Sequence, residues 1–344
     1  MKRINYFFSV VLMLTAFSLM PDRADAIPQY GDVDMNMDVE IADVVRLIDD
    51  IISGEPTIMD DIDGDLNVNI TDVIILIDYL MTGQWTFNLY YPPVPDSAMV
   101  VTVNGVSFAM MPVKGGVFYP YKHGFGDHSE TNTQVTLSDF YIGMTEVTVD
   151  LWEAVMGSRA SCSLRYWAKP NEPVVFVSWW QCKEFIDKLN ELTGMEFHLP
   201  TTDQWGYAAT GGLWSHDYRY AGSNELDEVA WHSSNTPQLH QRYDEKWPGH
   251  GYTMPVGLKK PNELGLYDMS GNMMEFLAMS NRGWGDTYTE DVPSDYRFAE
   301  AAGGGLFSDT MFCEVYERKT FKNVNLTHTD CGLRLALQAS SLNR

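Results

Sequence analysis

An acidic pattern that occurs twice, 29 residues apart, constrains the fold of this chain more than any other feature of its sequence. In each copy, oxygen-bearing side chains stand at positions 1, 3, 5, 9 and 12 of a short segment. Side chains with this spacing in a tight loop converge on one centre, and oxygen ligands in this number suit calcium rather than a transition metal. The first copy holds Asp32, Asp34, Asn36, Glu40 and Asp43, with Asp38 at position 7; the second holds Asp61, Asp63, Asp65, Asn69 and Asp72, with Asn67 at position 7.

A helix is predicted directly after each acidic loop. Apolar residues recur there at helical spacing, and Gly54 and Gly83 supply the usual stop signals. Helices this short cannot bury an apolar face separately, so the two must pack on each other. The pattern leaves two interpretations open, a calcium-binding hairpin and a metal-free acidic one. The predicted inward residues are Val44, Leu47, Ile48 and Ile51 in the first helix and Val73, Leu76, Ile77 and Leu80 in the second.

Residues 31–84, with their two loop-helix units, resemble a dockerin domain. They differ from the calcium-loop pattern at position 12, which is Asp instead of Glu, and at position 6, where Met37 and Leu66 replace the glycine of the sharp turn. The resemblance implies bound Ca²⁺ and a cohesin-like partner protein. Its contacts would include solvent-facing residues early in the helices, such as Ala42 and Thr71.

The residues on either side of this segment carry different signals. Lys2 and Arg3 precede an apolar stretch that ends near an A-x-A site, so residues 1–26 are predicted to be a signal peptide cleaved after Ala26. A membrane anchor is the alternative, but the apolar run is too short to span a bilayer. We expect a secreted, cell-surface or periplasmic protein without membrane insertion of the mature chain. Three prolines mark residues 85–98 as a linker.

Negative charge is concentrated in the acidic segment. The chain has a formal charge of −24, and residues 31–84 hold 14 acidic side chains against the single basic Arg46. Such a field repels nucleic acid and anionic lipid and attracts hard cations. Nucleic acid is therefore excluded as a partner.

Residues 99–338 have the composition of a separate α+β domain with much irregular structure. All ten Trp lie at or beyond residue 85, and Gly and aromatic residues are interleaved with short apolar runs. Asn104-Gly105 predicts a hairpin turn. Helix caps are predicted at Thr148, Ser178 and Thr201, and residues 339–344 are expected to form a short tail.

Short motifs spread over residues 100–337 carry most of the information about this domain. They are IGMTEVT (142–148), LWEAVMG (151–157), PVVFVSW (173–179), LPTTDQW (199–205), NELGLYDMSGN (262–272), AGGGLFSDTMFC (302–313) and GLRL (332–335). Together they resemble the formylglycine-generating enzymes, also called sulfatase-modifying factors. The resemblance implies a fold distantly related to C-type lectins, with small twisted sheets. It also implies an oxidase whose copper is held by two cysteines five residues apart.

The residues that would hold copper are incomplete. The family's cysteine pair corresponds to Ser308 and Cys313, and one thiolate cannot replace two soft sulfur ligands. Three other family positions are changed as well, with Gly305 for serine, Asp309 for histidine and Phe312 for tyrosine. We therefore expect neither copper nor catalytic residues, with Ser308 and Cys313 as residual family positions.

A second metal site is implied by resemblance near residues 271–276. This segment reads GNMMEF and lacks the tryptophan with which the family shapes its substrate groove. The alternative to a metal is a salt-bridged, helix-capping turn. The residues matched to a structural calcium site are Glu146, Asp268, Gly271, Met273 and Glu275.

The four cysteines, Cys162, Cys182, Cys313 and Cys331, do not have zinc-site spacing. Export would permit disulfides, and three connectivities stay open beside free thiols.

These observations favour an exported, non-catalytic binding or adaptor protein. The acidic hairpin would attach it to a cohesin-like partner, and the large domain would present loops to a glycan, a peptide or a surface protein. Polysaccharide breakdown is the context that the resemblance implies. The alternative is a formylglycine-generating oxidase that acts on sulfatase cysteines and relies on the surviving Cys313.

Overall fold

The computed structural model describes residues 31–34, 36, 38–57, 60–63, 67–83, 85, 91–120, 134–158, 168–236, 253–278, 299–305, 310–321, 324–328 and 330–343. Within these ranges, none of the helices is both long enough and apolar enough to cross a bilayer. The predicted signal peptide lies outside the described residues, and so do Met37, Asp65, Leu66, Cys162, Ser308 and Asp309.

Two helices of 13 residues, α1 (Ile41–Ser53) and α2 (Ile70–Thr82), follow the acidic loops. Each ends at a glycine in the left-handed conformation, Gly54 and Gly83, both with φ of 69°. A glycine is preferred there because it has no Cβ to clash in this conformation. Both helix stops were therefore predicted correctly.

The two helices pack on each other, but the predicted inward face needs a correction. Ile48 and Ile77 are 37% and 38% exposed, because the helices meet along the line of Leu47 and Leu76 and the next residue turns outward. Ile51 and Leu80 lie half-buried at the edge of this contact. The buried core consists of Val33, Val44, Leu47, Ile62, Val73, Ile75 and Leu76.

The larger part of the chain is built from short strands. They are β1 (Met99–Val103), β2 (Val106–Val113), β3 (Val117–Phe118), β4 (Val135–Thr136), β5 (Phe140–Gly143), β6 (Phe197–His198), β7 (Met274–Phe276), β8 (Ala299–Ala302), β9 (Arg318–Phe321), β10 (Cys331–Leu333) and β11 (Ala336–Gln338).

Two sheets and a small ribbon result from the pairing of these strands. The first sheet has the order β1-β2-β5-β11-β6, the second has the order β10-β7-β8-β9, and β3 pairs with β4. Only the β10–β7 pair is parallel among the described pairs. The predicted β1–β2 hairpin is confirmed, with Asn104 and Gly105 both at positive φ in its turn.

In the described stretches of the large part, four α-helices accompany the sheets: α3 (Val149–Met156), α4 (Trp179–Thr193), α5 (Thr202–Ala209) and the short α6 (Leu226–Val229). Ser178 caps α4 and Thr201 caps α5, as predicted, since each hydroxyl accepts a hydrogen bond from the third helical N–H. Thr148 is the N-cap residue of α3, as predicted, but its hydroxyl bonds to the Asp150 carboxylate and not to a backbone N–H.

The main core lies between the sheets and helices α3 and α4. Trp152 of α3 stacks on Phe185 of α4, with ring centroids 5.0 Å apart. Trp179, at the start of α4, donates from its indole N–H to the carbonyl of Leu277 at 2.8 Å. The first contact joins α3 to α4. The second joins α4 to the residue that follows β7 in the second sheet.

The segment predicted to be a linker packs against the large part. The Tyr91 hydroxyl donates to the Asp150 carboxylate. A Cβ placed on Gly257 would lie 2.5 Å from the Pro92 ring, so the proline sits directly on that glycine. The part of this segment around Tyr91 and Pro92 therefore follows the surface of the large part, whereas Trp85 stacks on Tyr79 of α2.

Candidate functional site

The first acidic loop gathers three of its predicted ligands. One carboxylate oxygen from each of Asp32, Asp34 and Asp43 lies within 4.8 Å of the others. Asp43 is buried and ties the loop together, since it accepts hydrogen bonds from the backbone N–H groups of Asp34 at 3.0 Å and Glu40 at 2.7 Å. The Asn36 N–H binds Asp32 at 3.0 Å, which turns the loop back on itself.

The second loop repeats this geometry 29 residues later. Asp61, Asp63 and Asp72 form an equivalent group within 4.8 Å. Asp72 accepts hydrogen bonds from the N–H groups of Asp63 at 3.3 Å and Asn69 at 2.7 Å, the counterparts of those made to Asp43. Burial, with the neighbouring carboxylates of Asp63 and Asp61, raises the pKa of Asp72 to about 6.

Other predicted ligands contribute to loop structure. The side-chain amide of Asn36 contacts Glu40, the N–H of Asp38 binds Asn36, and Asn69 binds the carbonyl of Asn67. Because the two gathered groups consist of carboxylate oxygens, some of them held by backbone N–H groups, they fit a hard divalent cation better than a soft one. The position of Asp65 in the second loop lies outside the described residues.

A lysine from the large part enters the second loop. The Lys169 ammonium lies 2.5 Å from the carboxylate of Asp61, and both side chains are almost completely buried. Sequence analysis missed this contact, because 108 positions separate the two residues.

Each helix of the hairpin also carries an exposed apolar stripe that sequence analysis did not identify. The stripes occupy the same positions in both copies, and their members are between 37% and 80% exposed. The predicted contact residues flank them, with Ala42 half-buried and Thr71 exposed. The stripe residues are Ile41, Val45, Ile48 and Ile52 on α1 and Ile70, Ile74, Ile77 and Met81 on α2.

In the large part, the segment matched to a calcium site contacts a buried arginine. Arg334 donates to both carboxylate oxygens of Glu275 at 2.7 to 2.9 Å, and Trp205 donates to the same carboxylate at 2.6 Å. The other guanidinium N–H groups bind the carbonyls of Gly143 and Tyr267. The positive charge next to Glu275 is therefore supplied by a side chain.

Two further acidic groups lie near this pair. Glu146 and Asp268 are both 2% exposed, and each has one oxygen without a hydrogen-bond partner among the described residues. Burial and the carboxylates of Asp268 and Glu275 raise the pKa of Glu146, and burial raises that of Asp268 to about 6. Asn272 donates to the second oxygen of Glu146. A structural calcium completed by Gly271 and Met273 stays a prediction.

The surviving family cysteine is enclosed. Cys313 is fully buried, and a Cβ placed on Gly304 would lie 2.8 Å from its sulfur. Burial raises the pKa of the Cys313 thiol to about 12, so it is not ionised at neutral pH. Cys182 and Cys331 are also buried free thiols, but they belong to the main core, whereas Cys313 packs against Tyr220.

Comparisons with known proteins agree with the motifs. Residues 97–339 match the model of the Sulfatase-modifying factor enzyme 1-like domain. A Paenibacillus barcinonensis protein named Chaperone protein LppX is 32% identical over 267 residues, which is 67% of this chain and 89% of that protein. The formylglycine-generating enzyme of Thermomonospora curvata is 32% identical over 176 residues, covering 48% of this chain and 53% of the enzyme.

A solved structure shares the fold. Treponema denticola variable protein 1 has a TM-score of 0.55 and 26% identity, and the alignment covers 71% of this chain and all of that one.

Proposed function

Because this chain belongs to the sulfatase-modifying factor enzyme 1-like family, we propose that it is a non-catalytic member, a binding or adaptor protein whose acidic hairpin docks onto a cohesin-like partner. The hairpin, residues 31–84, is the anchoring domain and binds Ca²⁺. The large domain, residues 99–338, presents a surface to a glycan, a peptide or another surface protein. Export after removal of residues 1–26 and a role in polysaccharide breakdown belong to the same proposal.

The enclosed cysteine is the observation that carries the non-catalytic assignment. A thiol with a pKa near 12 and no exposed surface is a poor copper ligand and a poor nucleophile. Gly305 supplies no hydroxyl where the family has serine. The relative named as a chaperone protein aligns over most of its length, and a chaperone acts by binding.

The docking assignment is supported by the paired stripes. An apolar row of four side chains runs along each helix, and contiguous exposed apolar surface of this kind is characteristic of interaction sites. Their repetition in α1 and α2 gives the hairpin two similar faces. Each loop is closed by a carboxylate that is also the third residue of its helix, Asp43 or Asp72. Calcium binding would therefore order the helices that bear the stripes.

Two measurements test this proposal. Thermal unfolding of the purified protein should shift upward in calcium relative to chelator, and identical curves would remove the calcium assignment. Binding to immobilised cohesin modules should be lost in the double variant V45D/I74D, on the stripes, and retained in L213D. Leu213 is a suitable control because it is 57% exposed on the large part. Equal binding by both variants would contradict docking through the stripes.

The oxidase remains the second candidate because of the identity to formylglycine-generating enzymes. Tight stoichiometric Cu(I) binding, with oxygen uptake on a cysteine peptide, would favour it over the binding role.

A further inference from the structure

The contact between Lys169 and the second acidic loop is a built ion pair rather than a chance surface contact. Lys169 belongs to the large part and Asp61 to the hairpin, and their side chains are 2% and 0% exposed, respectively. An unpaired charge is not stable at such a depth, so each group requires the other or a substitute. The Asp61 carboxylate that accepts this ammonium is also the first predicted ligand of the loop and belongs to its carboxylate group.

Hydrogen bonds fix the backbone that carries Lys169. The Lys169 carbonyl accepts a hydrogen bond from the Glu172 N–H at 3.0 Å, which closes a turn. The start of α3 is bound to the same turn, since the N–H of Asp150 donates to the Pro170 carbonyl at 3.0 Å. The N–H of Val256 binds the carbonyl of Asn171 at 3.0 Å. The lysine is therefore presented by a fixed surface of the large part.

From this geometry we propose that the Lys169 ammonium is an internal competitor for the cation position of the second loop, an inference that rests on the proposed calcium binding. With Lys169 in place, one of three crowded carboxylates is neutralised and the hairpin is held against the large part. Calcium entering the loop meets a positive charge on its first ligand, and the two cations repel each other. Filling the second loop therefore displaces Lys169.

Two consequences follow for a protein with both loops. Calcium binds the second loop more weakly than it would without the lysine. Calcium in the second loop also weakens the contact between the hairpin and the large part. Because such coupling is reciprocal, that contact lowers the affinity of the loop for calcium by the same factor. The Lys169–Asp61 pair thus holds the hairpin against the large part at low calcium concentration and breaks at high calcium concentration.

Calcium titration calorimetry on the full-length protein tests this competition. Asp61→Asn identifies which binding event belongs to the second loop, and Asp32→Asn identifies the first. In Lys169→Met the second-loop dissociation constant should fall about tenfold, because calcium no longer has to displace a buried ammonium from Asp61. The first-loop constant should not change. Lys183→Met, at an exposed lysine paired with Asp187, is the matched control and should behave like the unaltered protein.

A second readout does not depend on the folding of a variant. Amine acetylation followed by mass spectrometry should label Lys169 at least about tenfold more slowly than Lys183 in chelator, since buried amines react only after local opening. Saturating calcium should abolish most of that difference.

The outcomes separate the two proposals. If both loops bind calcium, Lys169→Met leaves both constants unchanged and Lys169 stays protected in calcium, the competition is refuted and calcium binding stands. If neither loop of any variant binds calcium, both proposals fail.

Discussion

Removing the guanidinium of Arg334 should destabilise the large domain more than removing any exposed cation. Arg334 is 0% exposed and forms five hydrogen bonds, three to Glu275 and two to the carbonyls of Gly143 and Tyr267. Breaking a buried pair costs about 3–5 kcal/mol because one charge is left uncompensated. Each orphaned carbonyl adds about 1–3 kcal/mol. We expect Arg334→Met to lower the free energy of unfolding by at least about 4 kcal/mol.

Urea unfolding followed by tryptophan fluorescence is the assay. Nine of the ten Trp lie at or beyond residue 152, so the signal follows mainly the large part, while Trp85 stacks on Tyr79 of the hairpin. With a slope of about 2–3 kcal/mol per molar urea, the expected loss moves the midpoint down by more than about 1 M. Arg219→Met is the control, because Arg219 is 55% exposed in its pair with Glu314 and such pairs contribute less than about 1 kcal/mol.

A second substitution tests the electrostatic cause. Adding Glu275→Gln to Arg334→Met removes the stranded carboxylate and should recover part of the lost stability. If Arg334→Met unfolds at the same urea concentration as Arg219→Met, a buried, obligatory ion pair is not what holds this part of the domain together.

Three further predictions follow from the same structure. Leu47→Ala should lower the stability of the hairpin by about 2–5 kcal/mol, whereas Ile52→Ala, at an exposed position, should lower it by less than about 0.5 kcal/mol. The measure is the amide protection of α1 and α2 in hydrogen exchange, and equal losses in the two variants would contradict the assigned core. Burial lowers the pKa of His328 below its unfolded value of about 6.5, so stability should fall as pH drops through that value, and His328→Phe should flatten this part of the pH–stability curve; an unchanged slope would count against it. Native Cys313 should resist iodoacetamide at pH 8 and react once urea unfolds the protein, whereas rapid labelling of the native form would contradict its enclosure.

Local features of the fold could be predicted from the sequence, because their causes lie within a few residues. The cap of α4 needs only Ser178 and the residue three positions later, and Gly194 ends that helix in the left-handed conformation. The carboxylates of the acidic loops converge for the same reason, since their spacing and the following helix determine where they point.

Features that depend on tertiary contacts could not be predicted in this way. The pairs Lys169–Asp61 and Arg334–Glu275 each join residues far apart in the chain. Nothing in a linear pattern shows which lysine will enter the second loop or which arginine will pair with Glu275. Ile48 was assigned to the wrong face because helical period alone does not define the contact line between two helices.

The position of β11 has a consequence for biosynthesis. This strand lies between β5 and β6 in the first sheet, although about 195 positions separate it from β5 in the chain. Until the ribosome has released β11, both neighbours keep unpaired edges, which are surfaces prone to aggregation. We therefore expect the large domain to complete its fold only after this strand has been translated. Its folding should depend on chaperones more than that of a domain built from adjacent hairpins.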